Sequence, residues 1–482
     1  MKPVQSTLAA LGLAGSALVA LAAPRALSDP VVHWWYSPGL GLTPGTAIWL
    51  VYAGMAILCC AWLGLGRSLP SQRALLAIAV VWTLPLALAP PLFSRDIYSY
   101  LAQGTILHLG HNPYRTAPSA LAALGAPHVL AAVSPFWRGT TAPYGPLFLG
   151  AISLIVAGVG SNLVAGVLLV RGMELVGLIL LAAALPRLAR ALGSDPGRAL
   201  WLAVLGPLTL LQLVAAGHND LLMAGMLALG LALALSGWPL PAVAVCALAA
   251  TVKLPALAGA GFIAVAWWRA ERGAASRTRF AMAAAAIGVA VLGAVTLATG
   301  VGAAWVSSSL FSTPARVRLA ITPATGIGYT AAWLLRTAGV AVSSRALEGV
   351  LVLIASGLAA AAGAVLLWRV RVVTVAAALG GFLALAAACG PAAWPWYFIW
   401  GLVSLAAVKG VQRSLALAFA LAVASLVVKP NGILALPLGS APAVLAVYAI
   451  AAVLALRAGS RRAAPVAAAA REGASPALAR TS

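Results

Sequence analysis

Eight acidic residues are spread over 482 positions, few enough that each carboxylate can be weighed for the chemistry it could do. Asp195 and Glu271 lie in basic stretches where balancing charge accounts for them, and Glu472 lies in a polar C-terminal stretch. Asp29 and Glu348 sit near expected helix ends, where capping or solvation suffices. Glu174 follows Arg171 by three residues inside an apolar run. That spacing places both on one helix face and predicts an intramembrane ion pair, structural or functional. Asp96 and Asp220 remain. Asp96 sits in Ser94-Arg95-Asp96-Ile97-Tyr98-Ser99-Tyr100, straight after an apolar run; Asp220 ends Gly217-His218-Asn219-Asp220, between two apolar runs. Either could cap the helix that follows it, over 97–109 or 221–237. Asp96 could instead take a proton from a hydroxyl group as a general base, and Asp220 could orient a substrate or an arginine there. Two such acids, flanked by arginine, histidine and tyrosine, point to a shared site.

The residues around them fit a sugar and a phosphate. Tyr98, Tyr100, His108, His111, Asn112, Tyr114, Arg115, Trp137, Arg138 and Tyr144 all fall between 94 and 144. With His218 and Asn219 they supply rings and amides of the kind that hold sugars. Trp394, Trp396 and Tyr397 are either interfacial belt residues or a sugar platform. Lys253, Arg316, Arg318, Arg115 and Arg138 are candidates for a leaving phosphate, a role that competes with anchoring to lipid headgroups. One base and several cations suit a sugar carried on a lipid phosphate. No paired-carboxylate DDxxD pattern, HExxH pair, GxGxxG or Walker loop occurs, so neither metal nor nucleotide cofactor is expected. Cys59, Cys60, Cys246 and Cys389 lie in apolar segments or at their ends, which implies no disulfide framework.

These residues have to be positioned by membrane helices. The chain is 63% hydrophobic and 8% charged, with a mean hydropathy of +1.03. Apolar runs long enough to span a bilayer recur throughout, and they are continuous rather than alternating. This predicts an all-α polytopic membrane protein and excludes a soluble enzyme with one membrane anchor and a transmembrane barrel. The formal charge of +22 would suggest nucleic acid in a soluble chain. Here most of the excess sits in short loops, the positive-inside signal, so no nucleic-acid partner is expected.

Spans are expected at about 7–23 (an uncleaved helix in preference to a signal peptide), 46–65, 74–92, 163–186, 199–216, 221–237 and 280–299. Two short segments, 239–252 and 254–268, meet at Lys253. Further spans fall at 347–368, 372–389, 396–408, 414–428 and 438–456. The basic turns at Arg67/Arg73, Arg187/Arg190/Arg198, 269–279, Arg369/Arg371 and Lys409/Arg413 read as cytoplasmic. Parity then requires 145–160 to be re-entrant or to lie in the membrane plane. The result is about 13–14 crossings with both termini cytoplasmic, a first outer loop at 94–144 and a second outer segment at 301–345. One membrane domain covers 1–456, followed by a disordered cytoplasmic tail over 457–482.

The order of motifs resembles the GT-C superfamily of membrane glycosyltransferases, and more closely the actinobacterial polyprenol-phosphate-mannose-dependent α-(1→6)-mannosyltransferases of the MptA/MptB type. The resemblance covers about Ala74 to Val428. It rests on PPLFSRDIYSYLAQG (90–104), HNPY (111–114), APYGPL (142–147), GHNDLLM (217–223), TVKLPA (251–256), LAITPATGIGY (319–329) and WPWYFIWG (394–401). It implies a GT-C-like bundle with its site on the extracytoplasmic face of the plasma membrane, and a catalytic aspartate in the first outer loop, at Asp96. Asp220 and Lys253 fall on the family's outer-face Asp and Lys positions. The two-acid site of some GT-C enzymes has no counterpart after the first span.

The implied reaction moves mannose from polyprenyl-phosphomannose to an α-1,6-mannan glycolipid of the lipomannan and lipoarabinomannan type, with inversion. Asp96 is then the base; Tyr98, Tyr100, His111, Asn112, Tyr114, Tyr144, His218, Asn219, Asp220, Trp396 and Tyr397 bind substrate. The alternatives are transfer of another polyprenyl-phosphate-linked sugar, or a lipid or glycan flippase or transporter. A carrier needs a polar path across the bilayer, and intramembrane charge is limited to Arg171 and Glu174.

Overall fold

The computed structural model describes residues 1–27, 32–36, 41–309, 322–432, 438–446 and 448–449. Asp29, Arg316, Arg318, the tail 457–482 and much of the span expected at 438–456 lie outside these described residues. Among the described residues every regular element is a helix. Only a helix satisfies its own backbone inside a bilayer without closing into a barrel.

Among the described residues, seven helices are long and apolar enough to cross a membrane: Pro3–Leu27, Pro44–Arg67, Leu163–Ala191, Pro196–Ala215, Ala274–Thr299, Ser344–Arg369 and Val372–Cys389. Seven further apolar helices have 10–17 residues, among them Gln72–Leu88, Pro146–Val159 and Asp220–Leu235. The chain is an all-α, multi-pass membrane protein. Pro146–Val159 has 14 residues and so extends about 21 Å, less than a hydrocarbon core of about 30 Å.

Two helices run past the hydropathy reading into basic residues. Leu163–Ala191 continues through Pro186 and takes in Arg187 and Arg190, which the sequence placed in a loop. Ala274–Thr299 likewise begins before Arg277 and Arg279. Arginine is a good helix former, and its long side chain carries charge past the end of the apolar run.

The chain divides into two compact units, Met1–Ala320 with Ser356–Ala435, and Ile321–Ala355 with Leu436–Ser482. In the first unit, small residues let helices meet closely. A Cβ on Gly225 would stand 2.1 Å from the Gly177 carbonyl oxygen, and one on Gly177 would stand 2.3 Å from the Leu221 oxygen. Only glycine permits that approach, which seats the start of Asp220–Leu235 against the middle of Leu163–Ala191. Elsewhere Trp62 and Trp201 stack at 4.7 Å and each indole donates to the other's carbonyl at 2.8 Å. In the second unit, Pro323–Thr337 opens on a reciprocal Thr322–Thr325 cap.

The Arg171–Glu174 ion pair expected from their spacing is not formed. Arg171, 1% exposed, donates to the carbonyls of Ala87 and Ala215 at 2.8 Å and of Ala89 at 2.5 Å. Glu174 accepts from the Leu222 amide at 3.2 Å. The carbonyls at the end of Gln72–Leu88 and at the end of Pro196–Ala215 have no intrahelical donor. A buried guanidinium, with five fixed N–H groups, satisfies several of them at once.

Candidate active site

Two turns and one hairpin carry the polar residues of the first unit. The turn before Asp96 is tied down on both sides. The Leu92 amide donates to Ala215 at 3.2 Å, and the Phe93 amide donates to Pro430 at 2.8 Å. Phe93 has φ 66°, the one positive value at a non-glycine residue among the described residues. A buried aromatic residue held in this sparsely populated region is strained by about 1–3 kcal/mol, so the surrounding bonds must enforce it. Ser94 Oγ then accepts from the Asp96 amide at 3.0 Å, and the helix Asp96–His108 begins. Asp96 stands in the first turn and does not cap. Arg95 reaches the Ala132 carbonyl at 2.7 and 3.1 Å.

The second turn follows a π-helical segment, Leu210–Ala215, a winding that often marks functional sites. Gly217 has φ 73°, which an L side chain rarely adopts. His218, Asn219 and Asp220 follow, all at 0% exposure. Asp220 does not cap its helix either. Lys253 lies in the turn between Pro239–Ala250 and Leu254–Ala270. That turn is pinned by the Gly145 amide on Val252 and the Leu147 amide on Thr251, each at 3.0 Å.

These pieces form two adjoining clusters. In one, Lys253 Nζ lies 2.8 and 2.7 Å from the two carboxylate oxygens of Asp220. The Trp400 indole donates to the same carboxylate. The ammonium also lies 4.8 Å over the Tyr397 ring and 5.6 Å over Trp400, within cation–π range. In the other, His218 stacks on Trp396 at 4.0 Å, and Trp396 stacks on Trp394 at 4.7 Å. His218 Nδ1 is 3.6 Å from Asp96 Oδ2 and 3.5 Å from the Tyr100 hydroxyl. Both are longer than a good hydrogen bond. Burial, reinforced by the Lys253 charge, holds the His218 imidazole well below its usual range and therefore neutral. Burial raises the Asp96 carboxyl to about 6, against the opposing effects of Ser94, Lys253 and Trp137. A base of that strength is ionised at neutral pH and still binds a proton usefully.

Asp96 and Lys253 both open onto a cavity of about 820 Å³. One side is polar and aromatic: Asp96, Ser99, Tyr100 and Gln103 from one helix, and Trp137, Thr140, Thr141 and Tyr144 from the loop before Pro146. The other is apolar, formed by Phe262, Gly363, Leu367, Phe382, Leu383 and Ala386.

Of the residues singled out from sequence, Asp96, Tyr100, Trp137, Tyr144, Lys253, Trp394, Trp396 and Tyr397 line this cavity. His218, Asn219 and Asp220 stand behind its wall, with no exposure of their own. Tyr98 is buried but is not among the lining residues. Asn112 donates to Val301 at 2.9 Å and accepts from the Tyr114 amide at 2.9 Å. The Tyr114 hydroxyl donates to the Tyr144 carbonyl at 2.7 Å, so this pair braces the loop that presents Tyr144. His111 and Arg115 are exposed. Arg138 donates at 3.2 Å to the carbonyls of Val133 and Ala131, where it serves the end of the short helix Pro127–Ala132. Arg316 and Arg318 are outside the described residues. Sequence reasoning passed over Ser99, Gln103 and Trp400. The first two were legible as i+3 and i+7 from Asp96 on one helix; Trp400 stood only inside the motif WPWYFIWG, with nothing to mark its contact to a residue 180 positions away.

Among the described residues, no three His, Cys, Asp or Glu side chains are grouped so as to hold a metal ion. The comparisons with known proteins agree with one another. Residues 6–269 match the family model described as alpha-(1->6)-mannopyranosyltransferase, N-terminal domain, and residues 324–458 match the MptB C-terminal domain. The chain is 35% identical over 449 residues to alpha-(1->6)-mannopyranosyltransferase A of Mycobacterium tuberculosis, covering 88% of this chain and 84% of the relative. A protein of Mycolicibacterium smegmatis named a probable alpha-(1->6)-mannopyranosyltransferase is 33% identical over 454 residues, covering 82% of this chain and 78% of the relative. Alpha-(1->6)-mannopyranosyltransferase A of Corynebacterium glutamicum is 32% identical over 299 residues, covering 55% and 59%. No solved structure matches the chain.

Proposed function

Since the chain belongs to the alpha-(1->6)-mannopyranosyltransferase family and is a membrane-embedded mannosyltransferase, we propose that it moves mannose from polyprenyl-phosphomannose to an α-1,6-linked mannan glycolipid, with inversion and with Asp96 as base. The observation that carries this reading is one cavity that joins a partly accessible carboxylate, the one lining it among the described residues, to an apolar wall. A lipid-linked sugar needs both.

In the proposed step, the Asp96 carboxylate takes the proton of the acceptor hydroxyl as its oxygen forms a bond to the anomeric carbon. The bond from that carbon to the phosphate oxygen breaks, and its electron pair leaves with polyprenyl phosphate. The proton then passes from Asp96 to solvent. A phosphate leaves as a stable anion, so no general acid is required. Lys253 stands where an ammonium would stabilise the departing charge, with its own charge balanced by Asp220 until substrate binds. Tyr100, Tyr144, Trp396 and Tyr397 supply ring surfaces for sugars. Arg316 and Arg318 remain candidates for the donor phosphate on sequence grounds, as does a minor role for Arg115. A single displacement needs one carboxylate and turns a β-linked donor into an α-linked product.

The proposed catalytic domain is the membrane part of the chain, 1–456, with both termini cytoplasmic and the cavity on the extracytoplasmic face. The test is transfer by purified protein from polyprenyl-phosphomannose to a short α-1,6-mannoside, with the new linkage assigned by NMR. Folded protein that leaves the mannoside unextended, or that builds a β linkage, overturns the proposal. A covalent product also separates transfer from flipping.

A further inference from the structure

The helix Asp96–His108 presents Asp96, Ser99, Tyr100 and Gln103 to the cavity. They are spaced i, i+3, i+4 and i+7, so they form one stripe. Two members of it are polar groups with no partner. Ser99 Oγ and Gln103 Oε1 are both buried and make no hydrogen bond, in residues only 2% exposed. Each such group costs about 1–3 kcal/mol unless something satisfies it.

Local alternatives exist and are not taken. On the same helix, Thr105 Oγ1 donates to the Leu101 carbonyl four residues back at 2.8 Å, the ordinary outlet for a helical hydroxyl. Ser99 does not do this. Elsewhere on the cavity wall, Thr140 donates to Phe136 at 3.4 Å and Ser309 donates to Pro143 at 2.7 Å. Among the described residues that line the cavity, the buried side-chain atoms left without a partner are these two, in line with Asp96; the unpartnered His218 Nε2 and Asn219 amide belong to residues behind the wall. At 1.5 Å per residue Ser99 and Gln103 stand about 4.5 and 10.5 Å along the helix axis from Asp96.

We propose that Ser99 and Gln103 form a hydroxyl-binding subsite that holds the acceptor mannoside, with Asp96 at its reactive end. This rests on the reading of Asp96 as base. The base touches the attacking hydroxyl, so groups continuing along its helix face meet the sugar that bears that hydroxyl and the ring linked behind it. The donor phosphate and its lipid belong with Lys253 and the apolar wall. Ser99 is then a hydroxyl donor and acceptor to the ring nearest the reaction. The Gln103 carbonyl accepts from a hydroxyl of the next ring.

The test uses full-length protein in detergent, a synthetic α-1,6-linked dimannoside and polyprenyl-phosphomannose. Ser99→Ala and Gln103→Leu should each raise the acceptor KM by roughly three- to tenfold, as expected for one neutral hydrogen bond, and leave the donor KM unchanged. Deoxy-dimannosides supply a readout that a packing role would not move. The position read by Gln103 should cost wild-type enzyme a similar factor and cost Gln103→Leu nothing further. An acceptor KM unchanged in both folded variants, a rise confined to the donor KM, or full additivity with every deoxy position would overturn the subsite. If wild-type protein makes no mannoside product at all, the proposed function fails instead, which keeps the two failures apart.

Discussion

Lys253 grips Asp220 through both carboxylate oxygens, across 33 positions of sequence and from the far end of a hairpin. The pair is unequal in its surroundings: the Asp220 side chain has 0% exposure and the Lys253 side chain 14%. Removing one partner of a buried pair strands the other charge, which costs about 3–5 kcal/mol. Asp220→Asn and Lys253→Met should each lower the melting temperature in detergent. The double variant should recover most of that loss and remain inactive. Thermal unfolding of the four proteins checks this; additive losses in the double variant would mean the two residues act separately.

Asp96 has no such partner, and its substitution should have the opposite effect on stability. Burial raises its carboxyl from 3.8 to about 6. A folded-state value above the unfolded one means that the ionised form is disfavoured in the fold, so stability falls as pH rises from about 4 to 6. Asp96→Asn removes that cost. It should raise stability by on the order of 1–3 kcal/mol at pH 7 and lower transfer by about 10²–10⁴. Wild-type turnover by the Asn variant would refute the role assigned to the carboxylate.

The same shift sets a pH profile. A base must be deprotonated to act, so kcat/KM should fall as pH drops through about 6 and be flat above it to pH 8. His218 is held neutral across this window and contributes no limb of its own. His218→Phe keeps a ring against Trp396 and removes a polar neighbour from Asp96. The acid limb should therefore move to higher pH. A profile unchanged in that variant would show that the imidazole does not tune the carboxylate.

Chelation tests the charge assignment. Among the described residues the cavity-lining carboxylate is Asp96, and Asp220 is already engaged by Lys253 and Trp400. Divalent cations such as Mg²⁺ want several oxygen ligands. Transfer should then proceed at the same rate in EDTA, with the departing phosphate met by cationic side chains. Recovery of activity only on adding back Mg²⁺ or Mn²⁺ would transfer that role to a metal.

Much of this site was legible in the chain, because membrane proteins carry few charges and each is conspicuous. Asp96, Asp220 and Lys253 stood out as isolated polar residues between apolar runs. Sequence could not show that Asp220 stands behind the wall while Lys253 reaches through it. That distinction depends on the pairing of distant turns. Arg171 and Glu174 illustrate the same limit. Spacing put them on one face, but a guanidinium takes whichever acceptors are nearest, and three carbonyls from other segments were nearer than Glu174. Ser99 and Gln103 were overlooked for a simpler reason. Uncharged polar residues in a helix are common, and their lack of partners is visible only in three dimensions.

The Arg171 contacts also bear on how the protein is made. Its acceptors include Ala87 and Ala89, synthesised long before it, and Ala215, synthesised 44 positions after it. Until the later segment has left the ribosome and entered the bilayer, the guanidinium lacks one of its carbonyls, and an incompletely satisfied charge inside a membrane is costly. Arg171, in the helix Leu163–Ala191, therefore has all three of its carbonyl acceptors only after Ala215 has joined it. Asp96 follows directly on the early segment and His218 on the late one, so the Arg171 contacts tie together the two segments that carry them. A nascent chain arrested before Ala215 should therefore remain more accessible to quality-control proteases in the membrane than one arrested after it.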